Sequence, residues 1–174
     1  MYCPLSLVQK SDLNHNQMNK HQRCVNFSEE GDRLETFQAY LRATDIIDWH
    51  DPAIEQLAAR LAAETPLETA KRCFEWVRDN VHHSYDYHQN PVTWRASDVL
   101  REGTGYCYAK SHLLAALLRA NGIPAGFCYQ RLTAYSDDQY SLHGLNMVYL
   151  PEFGWYSVDA RQQTGRQRSV HAAD

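Results

Sequence analysis

Between the breaker Gly103-Thr104-Gly105 and the stop Asn121-Gly122-Ile123-Pro124 lies a helical stretch that is apolar nearly all round. Leu113, Leu114, Ala116, Leu117 and Leu118 leave it no broad polar face. Such a helix has to be surrounded by protein, so it is expected at the centre of the fold. Asn121-Gly122 supplies a left-handed cap, and Pro124 prevents the helix from resuming. At its start stands a cysteine, in Gly105-Tyr106-Cys107-Tyr108-Ala109-Lys110-Ser111. Backbone N–H groups point outward there and the helix dipole is positive, which favours thiolate over thiol. The same N–H groups can hold an oxyanion.

Other elements follow from local signals. Asp51-Pro52 is an N-cap with proline at the first helical position, and Ile54, Leu57, Ala58, Leu61 and Ala62 repeat at helical spacing. Thr65-Pro66-Leu67-Glu68 is a capping box, opening a helix to about Val81 with Ala70, Cys73, Phe74 and Val77 on one face. Arg33 to Arg42 leaves helix and strand both open. His82 to Asn90 reads as a polar aromatic connector, and Ser97 as the cap of a short turn through Arg101. After Pro124, strands are expected over 125–132, 142–150 and 155–160, with a polar loop at 133–140 and a turn at Pro151-Glu152-Phe153-Gly154. Helices first and strands afterwards indicate α+β, with an antiparallel sheet packed on the cysteine helix. Three segments result: a polar, loosely ordered leader over 1–30, a core domain over 31–161, and an irregular tail over 162–174.

The 174 residues fit one domain, and 44% apolar with 22% charged residues is ordinary for a globular protein. Net charge is −4 with both signs scattered, so no basic stripe points to nucleic acid. No run of about 18 apolar residues points to a membrane span. The first twenty residues hold no apolar signal core, and the five cysteines are odd in number and irregularly spaced. A reducing, cytoplasmic setting with unbridged thiols is therefore expected. Cys73 and Cys128 stand in apolar contexts and read as small core residues.

By its local context Cys107 reads equally as a buried structural thiol or as a nucleophile. The dipole contributes only about 0.3–1 kcal/mol at an exposed helix end, too little to ionise a thiol by itself. A partner imidazolium is needed. Among nine histidines the best placed is His143, which begins a strand beside Gly144, where a group can approach closely. His112 stands five residues after Cys107, about 140° around the helix, and faces elsewhere. His82, His83 and His88 read as solvated loop residues rather than metal ligands, since no spaced Cys, Asp or Glu set accompanies them. Asp159 ends the strand paired with that of His143. Sixteen residues separate the two, eight on either side of Pro151, so with a tight turn they can lie nearly opposite on one face, although the register is not fixed by sequence and a bulge could shift it. Asp159 alone reads as a strand-end aspartate; with Cys107 and His143 it becomes the group that orients an imidazole. The N–H of Cys107 is one oxyanion donor, with Trp94, Tyr85 and Tyr87 as candidates for a second. Tyr106 and Tyr108 flank the sulfur and are candidate cleft residues.

The stretch from Gly105-Tyr106-Cys107 through Arg119-Ala120-Asn121-Gly122-Ile123-Pro124-Ala125-Gly126 resembles the signature of the transglutaminase-like superfamily. Leu142-His143-Gly144-Leu145-Asn146 and Gly154-Trp155-Tyr156-Ser157-Val158-Asp159-Ala160-Arg161 are similar to its histidine and aspartate strands. Phe74 to Val81 is similar to its helix ahead of the nucleophile. The resemblance covers about residues 45–161. It implies a papain-like fold and thiol mechanism, with Cys107 as nucleophile, His143 as base and acid, and Asp159 as orienter. Short bacterial members resemble stand-alone hydrolases or candidate cysteine proteases, and the additional domains of calcium-dependent cross-linking enzymes have no counterpart here. The segment after Asp159-Ala160-Arg161 departs from the usual pattern, reading Gln162-Gln163-Thr164-Gly165. A shortened C-terminus is one explanation, and an open sheet edge that pairs with a second copy is its expected consequence.

The expected function is hydrolysis of a peptide, isopeptide or amide bond in a peptide or protein substrate, through a thioester and without cofactor or metal. Amine-accepting acyl transfer and a non-catalytic peptide-binding role are the alternatives.

Overall fold

The helix α1 (Pro52–Leu61) starts where Asp51-Pro52 predicts, with the Asp51 carboxylate accepting from the Ala53 N–H at 2.9 Å. It buries Ile54, Leu57 and Ala58. The computed structural model describes residues 37–133 and 140–161. The leader 1–30 with Cys3 and Cys24, the loop residues 134–139 and the tail 162–174 lie outside the described residues. Residues 37–39 form a helical turn.

In α2 (Pro66–Asn80), Thr65 Oγ1 accepts from the Glu68 N–H at 3.2 Å. The reciprocal arm of the box is diverted: Glu68 turns its carboxylate to Arg72, 2.9 Å away and one turn on. Ala70, Cys73, Phe74 and Val77 form the buried face, as expected. The connector after it is more structured than its sequence suggests. It holds β1 (His82–His83) and the single turn α3 (Ser84–Tyr87), elements too short to show a period. Next come α4 (Ala96–Glu102) and β2 (Thr104–Gly105). β2 lies parallel to β1, with His82 beside Thr104 and His83 beside Gly105.

Ser97 does not cap α4. The cap is Asp48, whose Oδ1 accepts from the Ser97 N–H at 3.1 Å and whose Oδ2 accepts from the Ser97 hydroxyl at 2.6 Å. A partner 49 residues away leaves no local trace in the sequence. The helix ends on Gly103, left-handed at φ 64°.

The central helix α5 runs Cys107–Ala120. Every residue from Leu113 to Leu118 is at 0% exposure. Each of its four buried leucines stabilises the fold by about 2 kcal/mol. Helices α1, α2 and α4 and the sheet all pack against it. The sheet is β3 (Ala125–Thr133), β4 (Tyr140–Leu150) and β5 (Gly154–Val158), antiparallel in that order. The expected α+β arrangement is therefore present. Cys73 is fully buried as predicted, but Cys128 on β3 is only half-buried.

The β4–β5 register corrects the sequence expectation by one pair. Leu150 faces Gly154 and Tyr149 faces Trp155 across the three residues Pro151, Glu152 and Phe153. Extending that ladder sets His143 opposite Arg161. Asp159 is the diagonal neighbour, two residues short and on the same face, because the turn is centred on Glu152 rather than on Pro151.

Candidate active site

Cys107 is the first residue of α5, and the N-cap residue Tyr106 makes no side-chain cap. By helix geometry the Cys107 N–H has no intrahelical acceptor. The chain enters through Gly105, where an added methyl would lie 2.8 Å from Ala109 Cβ. β4 then crosses the helix start. The Gly144 N–H donates to Cys107 Sγ at 3.4 Å, and Sγ lies 4.0 Å from Leu142 O. A methyl on Gly144 would meet Tyr108 Cα at 3.1 Å, so the close approach expected at this glycine is that of the helix backbone itself. Asn146, two residues on and fully buried, ties the same strand to α5 by donating from Nδ2 to Ser111 O at 2.9 Å.

His143 is buried on β4, and its Nε2 lies 2.6 Å from Asp159 Oδ2. The other carboxylate oxygen of Asp159 accepts from the Arg161 N–H at 2.9 Å. Asp159 is thus fixed at both oxygens although its side chain is 47% exposed. Cys107, His143 and Asp159 converge, on α5, β4 and the end of β5.

The two thiols of the core are pushed in opposite directions. Burial alone raises the Cys73 thiol to about 12. Burial also opposes ionisation of Cys107, but the neighbouring His143 and His83 imidazoles, the hydrogen bond from the Gly144 N–H and the charge of His143 bring it down to about 5. His143 moves the other way, to about 9, chiefly through its hydrogen bond to Asp159 and then through Cys107, against the effect of burial. Between those values the thiolate and the imidazolium coexist. The contacts of Sγ that meet strict hydrogen-bond geometry are those to Gly144 and Leu142, so the imidazoles act on the sulfur at looser range.

His83 corrects the reading of the connector as solvated. It is only 6% exposed, and its Nδ1 lies 3.3 Å from Asp86 Oδ2. His82 stacks on Tyr87 at 4.1 Å, and of the three connector histidines His88 is the exposed one. The parallel β1–β2 pair brings His83 to the cysteine, and two-residue strands carry no sequence signal for it. His112 faces away from the sulfur, as expected, with Nδ1 2.6 Å from Trp94 O. The side chains of Trp94, Tyr85 and Tyr87 are largely outside, at 57%, 56% and 44% exposure. Tyr106 and Tyr108 are half-buried and stack on each other at 6.1 Å. Lys110, one turn beyond Cys107, is buried and serves the fold: Nζ donates to Val81 O and, at 3.4 Å, to Arg78 O at the end of α2. Burial lowers it to about 8.

A low-pKa thiol at a helix start, with a raised imidazole backed by a carboxylate, is chemically suited to covalent acyl transfer. The model of the transglutaminase-like superfamily matches residues 55–160. The chain belongs to that superfamily. Among solved structures, it resembles a candidate cysteine protease from Cytophaga hutchinsonii at TM-score 0.60 and 21% identity, over 78% of this chain and 44% of that one. It also resembles the periplasmic domain of TgpA from Pseudomonas aeruginosa, at TM-score 0.57 and 22% identity, over 73% of this chain and 49% of the other. The chain spans less than half the length of either. No curated protein matches it by sequence. Among the described residues, no helix is long and apolar enough to cross a membrane.

Proposed function

We propose that the protein is a thiol-dependent acyl-transfer enzyme that hydrolyses a peptide, isopeptide or other amide bond. Cys107 Sγ attacks the carbonyl carbon, and the carbonyl electron pair moves onto oxygen. The Cys107 N–H stabilises that oxyanion. The C–N bond breaks as His143 gives its proton to the leaving amine, and a thioester remains. Neutral His143 then takes a proton from water, the water oxygen adds to the thioester carbon, and thiolate leaves with the acid product. Asp159 accepts from Nε2, so Nδ1 is the nitrogen that exchanges protons with sulfur, amine and water. No step needs a cofactor.

The observation that carries this reading is the 2.6 Å contact of His143 Nε2 with Asp159 Oδ2, on a strand whose next residue donates to Cys107 Sγ. The test is a panel of fluorogenic peptide amides and isopeptides, run with and without added primary amine, on the protein and on Cys107→Ser. Hydrolysis lost in Cys107→Ser supports the proposal. Incorporation of the amine in place of water would reassign the protein as a transferase. Peptide binding without turnover, equal in both forms, would make it a non-catalytic module.

A further inference from the structure

Two imidazole–carboxylate pairs, not one, stand at the cysteine. The first is His143 with Asp159. In the second, His83 Nδ1 faces Asp86 Oδ2 at 3.3 Å, and Asp86 Oδ1 lies 3.5 Å from Arg161 Nη2. The backbone N–H of that same Arg161 donates to Asp159 Oδ1 at 2.9 Å. One residue thus joins the two carboxylates. His83 is fixed from several sides. It sits beside Gly105, two residues ahead of Cys107, and its ring meets Tyr106 edge-on at 5.8 Å. Its Nδ1 is buried, and the Asp86 oxygen lies too obliquely to form a hydrogen bond with it. With Nδ1 turned to Asp86, Nε2 is the ring nitrogen that remains to serve the cysteine.

We propose that His83 is a second imidazole of the reacting centre, donating from Nε2 to the negative charge on Cys107 Sγ and then to the oxyanion of the adduct, with Asp86 and Arg161 holding it in place. This rests on the proposed acyl-transfer reading. No bond to His83 forms or breaks in the cycle. His143 remains the proton carrier. The role is that of a second oxyanion donor, which has to lie within reach of the sulfur. His83 is among the groups that lower the Cys107 thiol against its burial. The other ionisable groups facing this cluster are Tyr106 and His143, with Lys110 and Asp159 interacting through charge.

The test is an ultraviolet titration of thiolate formation, taken as the difference from Cys107→Ser, on the full chain and on His83→Phe and Asp86→Asn. Circular dichroism checks the fold of each. The expected result is a midpoint raised by about one unit or more in His83→Phe, roughly tenfold less thiolate at a fixed acidic pH, with a smaller rise in Asp86→Asn. A midpoint unchanged in the folded variants overturns the role of His83 while leaving the proposed function intact. If His83→Phe does not fold, a flat result in Asp86→Asn overturns it alone. An ordinary thiol midpoint in the unsubstituted protein would sink both proposals together.

Discussion

His143 Nε2 and Asp159 Oδ2 meet at 2.6 Å although the β4–β5 ladder does not set the two residues opposite each other. The diagonal is closed because Asp159 has just left β5, and because the Arg161 N–H turns its carboxylate from the other side. The contact raises His143 and so supplies the charge that keeps Cys107 ionised in spite of burial.

Asp159→Asn is expected to keep the fold, since the side chain is half-exposed, and to lower His143 from about 9 toward its ordinary value. Activity should fall by roughly 10²–10⁴-fold, the usual worth of a positioned acid–base group. The alkaline limb of the pH profile should move toward neutrality. Steady-state kinetics across pH on the variant check both statements, and an unshifted alkaline limb would contradict the assigned role.

The pH dependence of kcat/KM should be bell-shaped. Cys107 must be deprotonated, so activity appears as pH rises through about 5. His143 must be protonated to release the amine, so activity is lost as pH rises through about 9. An acid limb at the ordinary thiol value would show that the ion pair does not form.

Gly144→Ala is expected to force β4 away from the start of α5, because the new methyl would lie 3.1 Å from Tyr108 Cα. Overpacking of this kind costs about 1–3 kcal/mol. It should also slow alkylation of Cys107, which receives the Gly144 N–H. Gly103→Ala is the control. Nothing lies within 4 Å of its added methyl, and only the left-handed backbone at φ 64° is strained. It should cost about 1 kcal/mol and leave alkylation unchanged. Thermal melts and alkylation rates on both variants separate the two effects.

Asp48→Ala removes both acceptors from Ser97 at the start of α4. A loss of about 0.5–2 kcal/mol is expected, as for other helix caps. Ser97→Ala should cost less, since the backbone N–H of residue 97 keeps its acceptor. Denaturant unfolding of the two variants checks the order.

The parts legible in the sequence are those with short-range causes. Asp51-Pro52, Thr65-Pro66 and Asn121-Gly122 fix helix ends within a few residues, and the apolar run Leu113–Leu118 makes α5 central wherever the rest goes. Cys107 and Asp159 were legible as candidates because each sits at an element boundary, and His143, which lies three residues inside β4, because it stands beside Gly144. What stayed hidden depends on pairs distant along the chain. The Asp48 cap of α4, the Lys110 contacts with the end of α2 and the Arg161–Asp86 contact are of this kind. So is His83, which reaches the cysteine only through a strand pair of two residues on each side. The β4–β5 register stays open in the sequence, because Pro151-Glu152-Phe153-Gly154 does not dictate whether the turn centres on Pro151 or on Glu152.

The most direct test of a thiolate–imidazolium pair is the rate of alkylation at each cysteine, mapped by peptide mass spectrometry from about pH 4 to about pH 9 on the protein and on His143→Ala. Cys107 should react fastest at acidic pH and lose that advantage in His143→Ala, while Cys73, fully buried and raised to about 12, stays inert. Cys107 reacting no faster than Cys3 or Cys24, with an ordinary thiol profile, would contradict the account.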